Sequence, residues 1–393
     1  MTRNFDYVVI GAGVLGTAAA YWLARSGESN VLVVEQFALG HDRGASEDHS
    51  RIIRHSYHST TYTALTHAMY EHWSELEAQT GMQLVTRTGG LDLAVTGTAG
   101  EEELANYRAA LRPFDIPAED LDAAAIRDRW PQWRIDDDVI GMYQSDSGIL
   151  DVRRACAAQI AMARRLGVEF APHTTVLDLA PTDDCVVIST DRGPITAGNV
   201  VVCVASWIEK FLPCLGLRWN ISLTQEQVGY FATPNLAEFS PDRFPVWIWH
   251  GDTDLFYGFP VYGEAAVKIS RDFSGRFITS DERSSRPDPE DTALFRAFLE
   301  QRLPAAAGPE LLSKTCVYDL PPDRDFVIDR VPGHPRVTIG LGAAHAAKFG
   351  NLLGHLLADL ARTGTTAFAV DAFRADRPAL DDPAFVSAFR MGR

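Results

Sequence analysis

The sequence lacks any run of about 18 apolar residues, the length that a transmembrane helix needs, so we expect no membrane partner. No basic stretch with an apolar core and a cleavage site precedes the strand-like residues 7–10, which predicts no secretory signal. Positive charge is also scarce, since 36 Lys and Arg against 52 Asp and Glu give a formal net charge of −16. Nucleic acids are bound by clustered Lys and Arg, so this balance argues against such a partner. We expect a cytoplasmic protein.

The cysteines are few and form no pattern. There are five of them, an odd number without a C-x-x-C pair, which favours reduced thiols over a disulfide framework or a metal site. A free cysteine is by default a small buried hydrophobe, and this is the first interpretation for Cys156, Cys185, Cys203, Cys214 and Cys316. The composition, 46% hydrophobic and 22% charged over 393 residues, is that of a globular chain long enough for two domains.

A βαβ unit typical of dinucleotide-binding folds stands at the beginning of the chain. An apolar strand (residues 7–10), a glycine turn (11–16), a helix (17–26) and a second apolar strand (31–34) follow one another. Gly11, Gly13 and Gly16 allow the backbone to approach a pyrophosphate at the helix N-terminus. Glu35, about 20 residues beyond the glycines, can accept a hydrogen bond from a ribose hydroxyl. The unit predicts nucleotide binding but does not separate FAD from NAD.

The rest of the chain alternates between β-rich and helical segments. Residues 66–81 place apolar side chains at helical spacing and end in glycine, whereas residues 40–62 are too irregular for a helix. Residues 200–204 predict a buried strand that returns to the first sheet. Residues 223–272, rich in aromatic and β-branched side chains, predict an antiparallel sheet in a second domain. From residue 336 the chain again gives a strand, glycines and a helix through residue 360.

Three further groups of segments carry a specific resemblance. The first is RIIRHSY at residues 51–57, with Tyr62; the second is FYGFP at 256–260, followed by VKI at 267–269. The third comprises KTCVY at 314–318, DRDFVID at 323–329, HAAKF at 345–349 and RPAL at 377–380. Together, and in this order over nearly the whole chain, they closely resemble the monomeric sarcosine oxidase family, which includes N-methyltryptophan oxidase and pipecolate oxidase.

The resemblance implies a fold and a reaction. The fold is α/β plus β, with a Rossmann-like FAD-binding domain at about residues 1–85, 140–215 and 315–393, and a discontinuous, β-sheet-rich substrate domain at about 86–139 and 216–314. FAD is implied in an extended form, attached by a thioether from Cys316. A monomeric enzyme is expected to oxidise the carbon beside a neutral amine to an imine, and oxygen to become hydrogen peroxide.

The resemblance also implies roles for single residues. Arg54 and Lys348 hold the substrate carboxylate, a guanidinium through two hydrogen bonds and an ammonium as a point charge, with Lys348 also beside the cofactor. Arg51 and Lys268 lie near the flavin ring, where Lys268 activates oxygen, and His345 lies near the substrate. Glycines before His345 aim a helix N-terminus at the ring. Tyr57, Tyr257 and Tyr318 close an aromatic pocket. The alternatives are a solvated surface cation for Arg54 and Lys348, a lysine on a strand edge for Lys268, a structural histidine for His345, and core packing for the three tyrosines.

Two positions depart from the sarcosine oxidase pattern and put sarcosine itself in doubt. Asp272 stands where a histidine near the substrate is expected, and Ser59 stands near a glutamate position. An aspartate there binds a cationic group of the substrate or favours a different amine. Other activities also stay open: an NAD-linked dehydrogenase, a flavin dehydrogenase with another electron acceptor, and a flavoprotein that binds its cofactor without turnover.

Overall fold

The computed structural model describes residues 3–382, 384 and 385. Within this part the helices are α1 Val14–Arg25, α2 Thr60–Thr80, α3 Ala99–Leu111, α4 Ala123–Arg129, α5 Val152–Arg165, α6 Pro289–Arg302 and α7 Gly350–Thr363. The strands are β1 Arg3–Ile10, β2 Val31–Val34, β3 Arg51–Ile53, β4 Val85–Arg87, β5 Gly90–Val95, β6 Glu119–Asp122, β7 Val139–Gln144, β8 Gly148–Leu150, β9 Glu169–Ala171, β10 Val176–Pro181, β11 Val186–Thr190, β12 Ile195–Val202, β13 Ser222–Ala232, β14 Val246–His250, β15 Leu255–Phe259, β16 Ala266–Arg271, β17 Arg276–Ile278, β18 Glu310–Leu320, β19 Val327–Val331 and β20 His334–Leu341.

The first sheet is built around the predicted βαβ unit. Strands β20, β12, β1, β2 and β9 pair in parallel in that order, and β10, β11 and β19 extend the sheet by antiparallel pairing. Strands buried on both faces read as continuous apolar runs, and β1 follows this rule. Val9 faces the core shared with α1, α5 and α7, while Val8 faces a second core on the opposite side. The predicted unit and the strand returning at residues 200–204 are confirmed.

The second sheet carries most of the aromatic residues between positions 223 and 272. Its order is β17, β13, β16, β15, β14, β5, β7, β6, with β18 paired to the other side of β13. The pairs from β13 to β16 are antiparallel as predicted, and only the step from β14 to β5 is parallel. Helix α6 covers this sheet, where Phe298 stacks on Trp247 with ring centroids 5.4 Å apart. A short third sheet joins β3, β8 and β4.

Helix α2 begins six residues before the predicted helix and ends where predicted. Ser59 is its N-cap, with Oγ accepting a hydrogen bond from the Thr61 amide at 3.2 Å. Gly81 ends it in the left-handed conformation, with φ of +69°. The first turn is polar, so apolar spacing does not reveal it. Ser59 therefore has a structural role as a helix cap.

The division into two domains remains a prediction. Its boundary at residue 315 falls within β18, which pairs with β13 along most of its length. Residues 386–393 of the last predicted segment lie outside the described residues. Residues from both large sheets line one cavity.

Candidate active site

The glycine turn after β1 leaves no room for side chains. Gly11 has φ of +98°, and a Cβ there would lie 2.3 Å from the carbonyl oxygen of Cys203. A Cβ on Gly16 would lie 1.9 Å from the carbonyl oxygen of Gly11, so only glycine lets α1 begin this close to the turn. Gly13, Val14 and Leu15 at the beginning of α1 line a cavity, and the Val14 amide donates to Ser46 Oγ at 3.0 Å, so the helix N-terminus offers a place that suits a pyrophosphate.

Glu35 is fixed at the end of β2. Its two carboxylate oxygens accept hydrogen bonds from the amides of Ala12 and Phe37, each at 2.9 Å, and His41 Nε2 lies 3.4 Å away. Burial raises the pKa of Glu35, but His41 and the two amides outweigh burial and hold it below its usual value. Glu35 is thus an ionised acceptor beside the glycine turn, as ribose binding requires.

Two adjoining cavities run from this turn toward the second sheet. Their empty volumes, open mouths included, are about 1890 Å³ at the Glu35 end and about 1680 Å³ at the other. They share a stretch of wall formed by Gly13, Gly44, Ala45, Ser46, Glu47, Cys203 and Ala205. The glycine turn and Glu35 lie at one end of this space and charged and aromatic side chains lie at the other, so its two parts suit a cofactor and a small substrate, respectively.

The second of these spaces, called here the inner cavity, brings together the predicted side chains. Its wall contains Arg51, Arg54, Tyr57, Tyr257, Lys268, Asp272, Cys316, Tyr318, His345 and Lys348. Gly11, Gly13 and Glu35 line the other cavity. Gly16 lines neither cavity, but it lets α1 pack against the carbonyl of Gly11. Tyr62 lies behind Tyr57, with the rings stacked 5.0 Å apart, and donates to Asp325 at 2.7 Å.

Arg54 is held by partners that sequence reasoning did not identify. It donates to the Asp92 carboxylate at 2.9 Å and to the Tyr107 hydroxyl at 3.3 Å, and His250 Nε2 lies 3.0 Å from the same carboxylate. Burial lowers the pKa of Arg54, but Tyr107 and Asp92 outweigh burial and raise it. The guanidinium is therefore a fixed positive charge in the wall.

Lys348 lies on a 3-10 turn, Ala346–Phe349, that precedes α7. Its Nζ donates to the Tyr57 hydroxyl at 3.0 Å and to the carbonyl of His345 at 3.2 Å. Burial and the nearby charge of Arg54 lower the pKa of Lys348 to about 7, although Asp272 opposes them. An anion bound beside Lys348 would restore its full charge.

The turn before Lys348 differs from the prediction of a helix N-terminus. Ala343 and Ala344 adopt φ of 45° and 71°, and Asp319 accepts hydrogen bonds from the amides of Gly342 and Ala344 at 3.4 and 3.3 Å. The chain first makes this turn, then the 3-10 turn, and begins α7 only at Gly350. His345 is buried, and burial together with Lys348 lowers its pKa well below the usual value, so the imidazole is neutral.

Asp272 is the acidic group opposite these cations. It accepts a hydrogen bond from the Tyr318 hydroxyl at 2.9 Å. Burial raises the pKa of Asp272 to about 6, against the opposing effects of Tyr318, Lys348 and Arg54. Burial likewise raises the pKa of Tyr257 and Tyr318, so both hydroxyls stay neutral. The inner cavity thus brings a carboxylate within electrostatic range of two cations, in a wall that also contains neutral aromatic side chains.

Lys268 and Arg51 line the inner cavity, and Arg51 reaches the shared wall through the carbonyl groups of Ala45 and Glu47. Lys268 Nζ lies 2.5 Å from Asp48 and donates to the carbonyl and hydroxyl of Ser50, both at 3.1 Å. Burial lowers the pKa of Lys268 to about 8. Arg51 donates to the carbonyl groups of Ser50, Ala45 and Glu47 and remains charged.

Cys316 also faces the inner cavity, from the middle of β18 opposite Glu226. Burial raises the pKa of its thiol to about 11, while Arg51 acts in the opposite direction. Within the described residues, no group of three or more His, Cys, Asp or Glu could hold a metal ion. No described helix is both long enough and apolar enough to cross a bilayer.

Comparison with known proteins gives one consistent result. The profile of the family described as "FAD dependent oxidoreductase" matches residues 6–360. The chain is 32% identical over 384 residues to monomeric sarcosine oxidase of Bacillus sp. (strain NS-129), covering 97% of this chain and 98% of the relative. It is 31% identical to N-methyl-L-tryptophan oxidase of Escherichia coli (strain K12 / DH10B), covering 95% and 99%.

Solved structures agree with these sequence relatives. The open form of NikD, an unusual amino acid oxidase essential for nikkomycin biosynthesis, superimposes with a TM-score of 0.85 at 26% identity over the whole of both chains. Glycine oxidase of Geobacillus kaustophilus has the same fold, with a TM-score of 0.82 at 19% identity over 96% of this chain and 99% of the other.

Proposed function

This chain belongs to the FAD dependent oxidoreductase family, and from that premise we propose that it is an oxidase of a small N-methyl or cyclic amino acid or related secondary amine. One observation carries the choice of substrate. Arg54, Lys348 and Asp272 line one cavity together with Tyr57, Tyr257 and Tyr318, and the two cations act on the pKa of Asp272. This charge pattern complements an amino acid, whose carboxylate and amine are separated by one carbon.

The residues that would hold FAD are those of the two cavities. The turn of Gly11 and Gly13 suits the pyrophosphate and Glu35 suits the ribose, and we propose a thioether from Cys316 to the flavin ring. When bound, FAD would accept the two electrons that the CH–NH unit of the substrate loses, with two protons, on becoming an imine, and would pass them to oxygen to give hydrogen peroxide. Cys316 faces the inner cavity, and although burial raises the pKa of its thiol, the nearby charges of Arg51 and Lys268 act in the opposite direction, toward the thiolate that forms a thioether.

The substrate carboxylate is proposed to bind between Arg54 and Lys348. Arg54 is charged and held in place by Asp92, and the Lys348 ammonium gains charge as the anion arrives. The amine is then directed toward Asp272, whose carboxylate lies near enough for its pKa to respond to both cations. Asp272 takes a hydrogen bond from the amine N–H, while Tyr257 and Tyr318 exclude water from the neutral nitrogen.

Lys268 is proposed to act on oxygen. Oxygen acquires negative charge as it accepts electrons, and a fixed cation in a partly dry site lowers the energy of that anion. Lys268 is 3% exposed and lies in the wall of the inner cavity, away from the pair that receives the carboxylate. The alternative is a flavin dehydrogenase that uses another electron acceptor. A lysine that promotes electron transfer to oxygen would exclude it.

The test uses purified protein and a panel of N-methyl and cyclic amino acids, each paired with the amine that lacks its carboxylate. We expect a yellow protein that releases hydrogen peroxide with some of the amino acids and far less with the matching amines. Flavin bleaching without peroxide would instead favour a dehydrogenase, and no bleaching with any compound would favour a flavoprotein without turnover.

The covalent bond has its own test. Acid precipitation of the wild-type protein should leave the yellow colour in the pellet, whereas Cys316→Ser should release it into the supernatant. Cys203→Ser, which changes another buried cysteine, is the matched control and should keep the colour in the pellet. Colour released from the wild type would refute the thioether while leaving FAD binding intact.

We also propose that the protein is a monomer of the cytoplasm. The relative of Bacillus sp. is named monomeric sarcosine oxidase, and all five cysteines of this chain are free thiols. Sedimentation of the purified protein at several concentrations tests the first statement, and fractionation of the producing cells tests the second.

A further inference from the structure

Asp48 occupies a backbone conformation that ordinarily belongs to glycine. Its φ is +103°, in the region that L residues rarely adopt, and it lies in the segment between β2 and β3. The residue is 5% exposed and lines the inner cavity. Unusual backbone geometry persists where surrounding contacts fix it, and such positions cluster at functional sites. The contacts of the Asp48 side chain are therefore expected to have a functional role.

Three neighbouring strands converge on the Asp48 carboxylate. Lys268 of β16 lies 2.5 Å from one oxygen, while Tyr230 of β13 and Lys314 of β18 donate to the other at 2.5 and 3.3 Å. Tyr230 stands opposite Lys268 in the pairing of β13 with β16, and β18 lies on the other side of β13. The carboxylate thus joins the loop before β3 to three strands of the second sheet.

The lysines of the chain are concentrated at this cavity. The sequence contains four, Lys210, Lys268, Lys314 and Lys348, and the last three line the inner cavity. Lys210 forms an exposed pair with Asp281 at 2.7 Å. Most positive charges of the protein are arginines, so the ionisation of a lysine can matter specifically here, because an ammonium loses its proton on burial far more readily than a guanidinium does.

The charge of Lys268 depends on the opposing effects of burial, Arg51 and Asp48 on its pKa. Burial lowers the pKa of Lys268 to about 8 and Arg51 lowers it further, whereas Asp48 opposes both. Burial would raise the pKa of Asp48, but Lys268 and Arg51 hold it well below its usual range. The ionisable groups that act on Lys268 are Asp48, Arg51, Cys316 of β18 and Tyr230 of β13. Lys314 of β18 contacts Asp48, and Tyr257 of β15 acts on Arg51.

We propose that Asp48 is a positioning residue for oxygen reduction, which keeps the Lys268 ammonium charged and fixed against Ser50 in the cavity wall. This inference rests on the proposed role of Lys268. Without the carboxylate, the ammonium would keep the cost of burial and the repulsion from Arg51 but lose its counter-charge. Lys268 would then be neutral at pH 7 to 8 and would regain its proton only at lower pH.

The direct test is a titration of the lysines in the FAD-loaded protein. With ¹³C at the lysine side-chain ends, the chain gives only four signals by NMR, and Lys→Arg variants assign them. The Lys268 midpoint should fall by about one pH unit or more in Asp48→Asn, as expected when a close counter-charge is lost. Asp281→Asn removes the carboxylate of an exposed lysine pair and should leave the Lys268 midpoint unchanged.

The second readout is the rate at which oxygen reoxidises the flavin, measured by stopped flow from pH 6 to 9. In Asp48→Asn this rate should be low at neutral pH and recover as the pH falls, while a merely structural role would lower it equally at every pH. Asp48→Gly, which accepts the positive φ without strain, should behave like Asp48→Asn and serves if the asparagine variant does not fold.

The two proposals fail in distinguishable ways. Unchanged reoxidation in Lys268→Met would remove the oxygen role of Lys268, and the role of Asp48 with it. If Lys268→Met slows reoxidation but Asp48→Asn and Asp48→Gly leave both the Lys268 midpoint and the pH profile unchanged, the role of Lys268 stands and that of Asp48 is overturned.

Discussion

Lys268, which is buried, and Lys348, which is half-buried, lie in the wall of one cavity but have different surroundings. Lys268 has a carboxylate at 2.5 Å, whereas the hydrogen-bond acceptors of Lys348 among the described residues are neutral, the Tyr57 hydroxyl and the His345 carbonyl. A lysine with a close counter-charge keeps its proton throughout a reaction. A lysine without one gains charge when an anion binds beside it. Arg54 differs from both, because a guanidinium stays charged and Asp92 holds it in place. We propose that the oxygen side and the substrate side of the cavity use the same residue type for different tasks.

The largest expected effect comes from removing the charge on the oxygen side. Lys268→Met should slow reoxidation of the flavin by about 10²- to 10³-fold, the loss typical of removing one preorganised electrostatic group. Anaerobic reduction by substrate should change little, because Arg54 and Lys348 remain in place. Stopped-flow measurement of the two half-reactions checks this.

Lys268→Arg is the control for charge, since it keeps a cation at the same position and should recover part of the rate. If the methionine variant instead slowed anaerobic reduction more than reoxidation, Lys268 would belong with the substrate side, and the comparison between the two lysines would break down.

A smaller effect is expected on the substrate side. Arg54→Met or Lys348→Met should weaken binding of a carboxylate inhibitor by about 1.5 to 3 kcal/mol, the value of a hydrogen bond to a charged group. Reoxidation by oxygen should be nearly unaffected in both variants. Titration of the flavin spectrum with inhibitor gives the dissociation constants.

The matching amine without a carboxylate is the control ligand, because its binding should not weaken in either variant. Equal losses for the inhibitor and the amine would mean that the substitutions disturb the cavity as a whole, and an unchanged inhibitor constant in both variants would place the carboxylate elsewhere.

The sequence predicted the βαβ unit and its glycines, but it did not predict the groups that hold the side chains of the inner cavity. Gly11, Gly13, Gly16 and Glu35 follow one another within one βαβ unit, so local order alone predicts their meeting. The resemblance to sarcosine oxidases placed ten side chains in one cavity wall, since the motif order carries the fold with it.

What local reasoning missed are the groups that hold those side chains. Asp48 and Lys268 are 220 positions apart, and Asp92 and His250 are 158 apart, so no periodicity connects them. One signal was available in the sequence: of four lysines, three stand in or beside the motifs that line the cavity.

The smallest expected effect is a pH dependence that separates the two lysines. The pKa of Lys348 is about 7 without ligand and must rise when a carboxylate binds, so affinity for a carboxylate inhibitor is greatest below pH 7. Above that pH, affinity should fall by up to about tenfold per unit until the pKa of the complex is reached. Asp272, with a pKa of about 6, adds to the fall because its ionisation repels the inhibitor. Lys348→Arg keeps its charge over this range, so the slope that remains in that variant measures Asp272 alone. A wild-type profile identical to that of Lys348→Arg would mean that Lys348 does not titrate between pH 6 and 9, and that the two lysines are alike in charge despite their different partners.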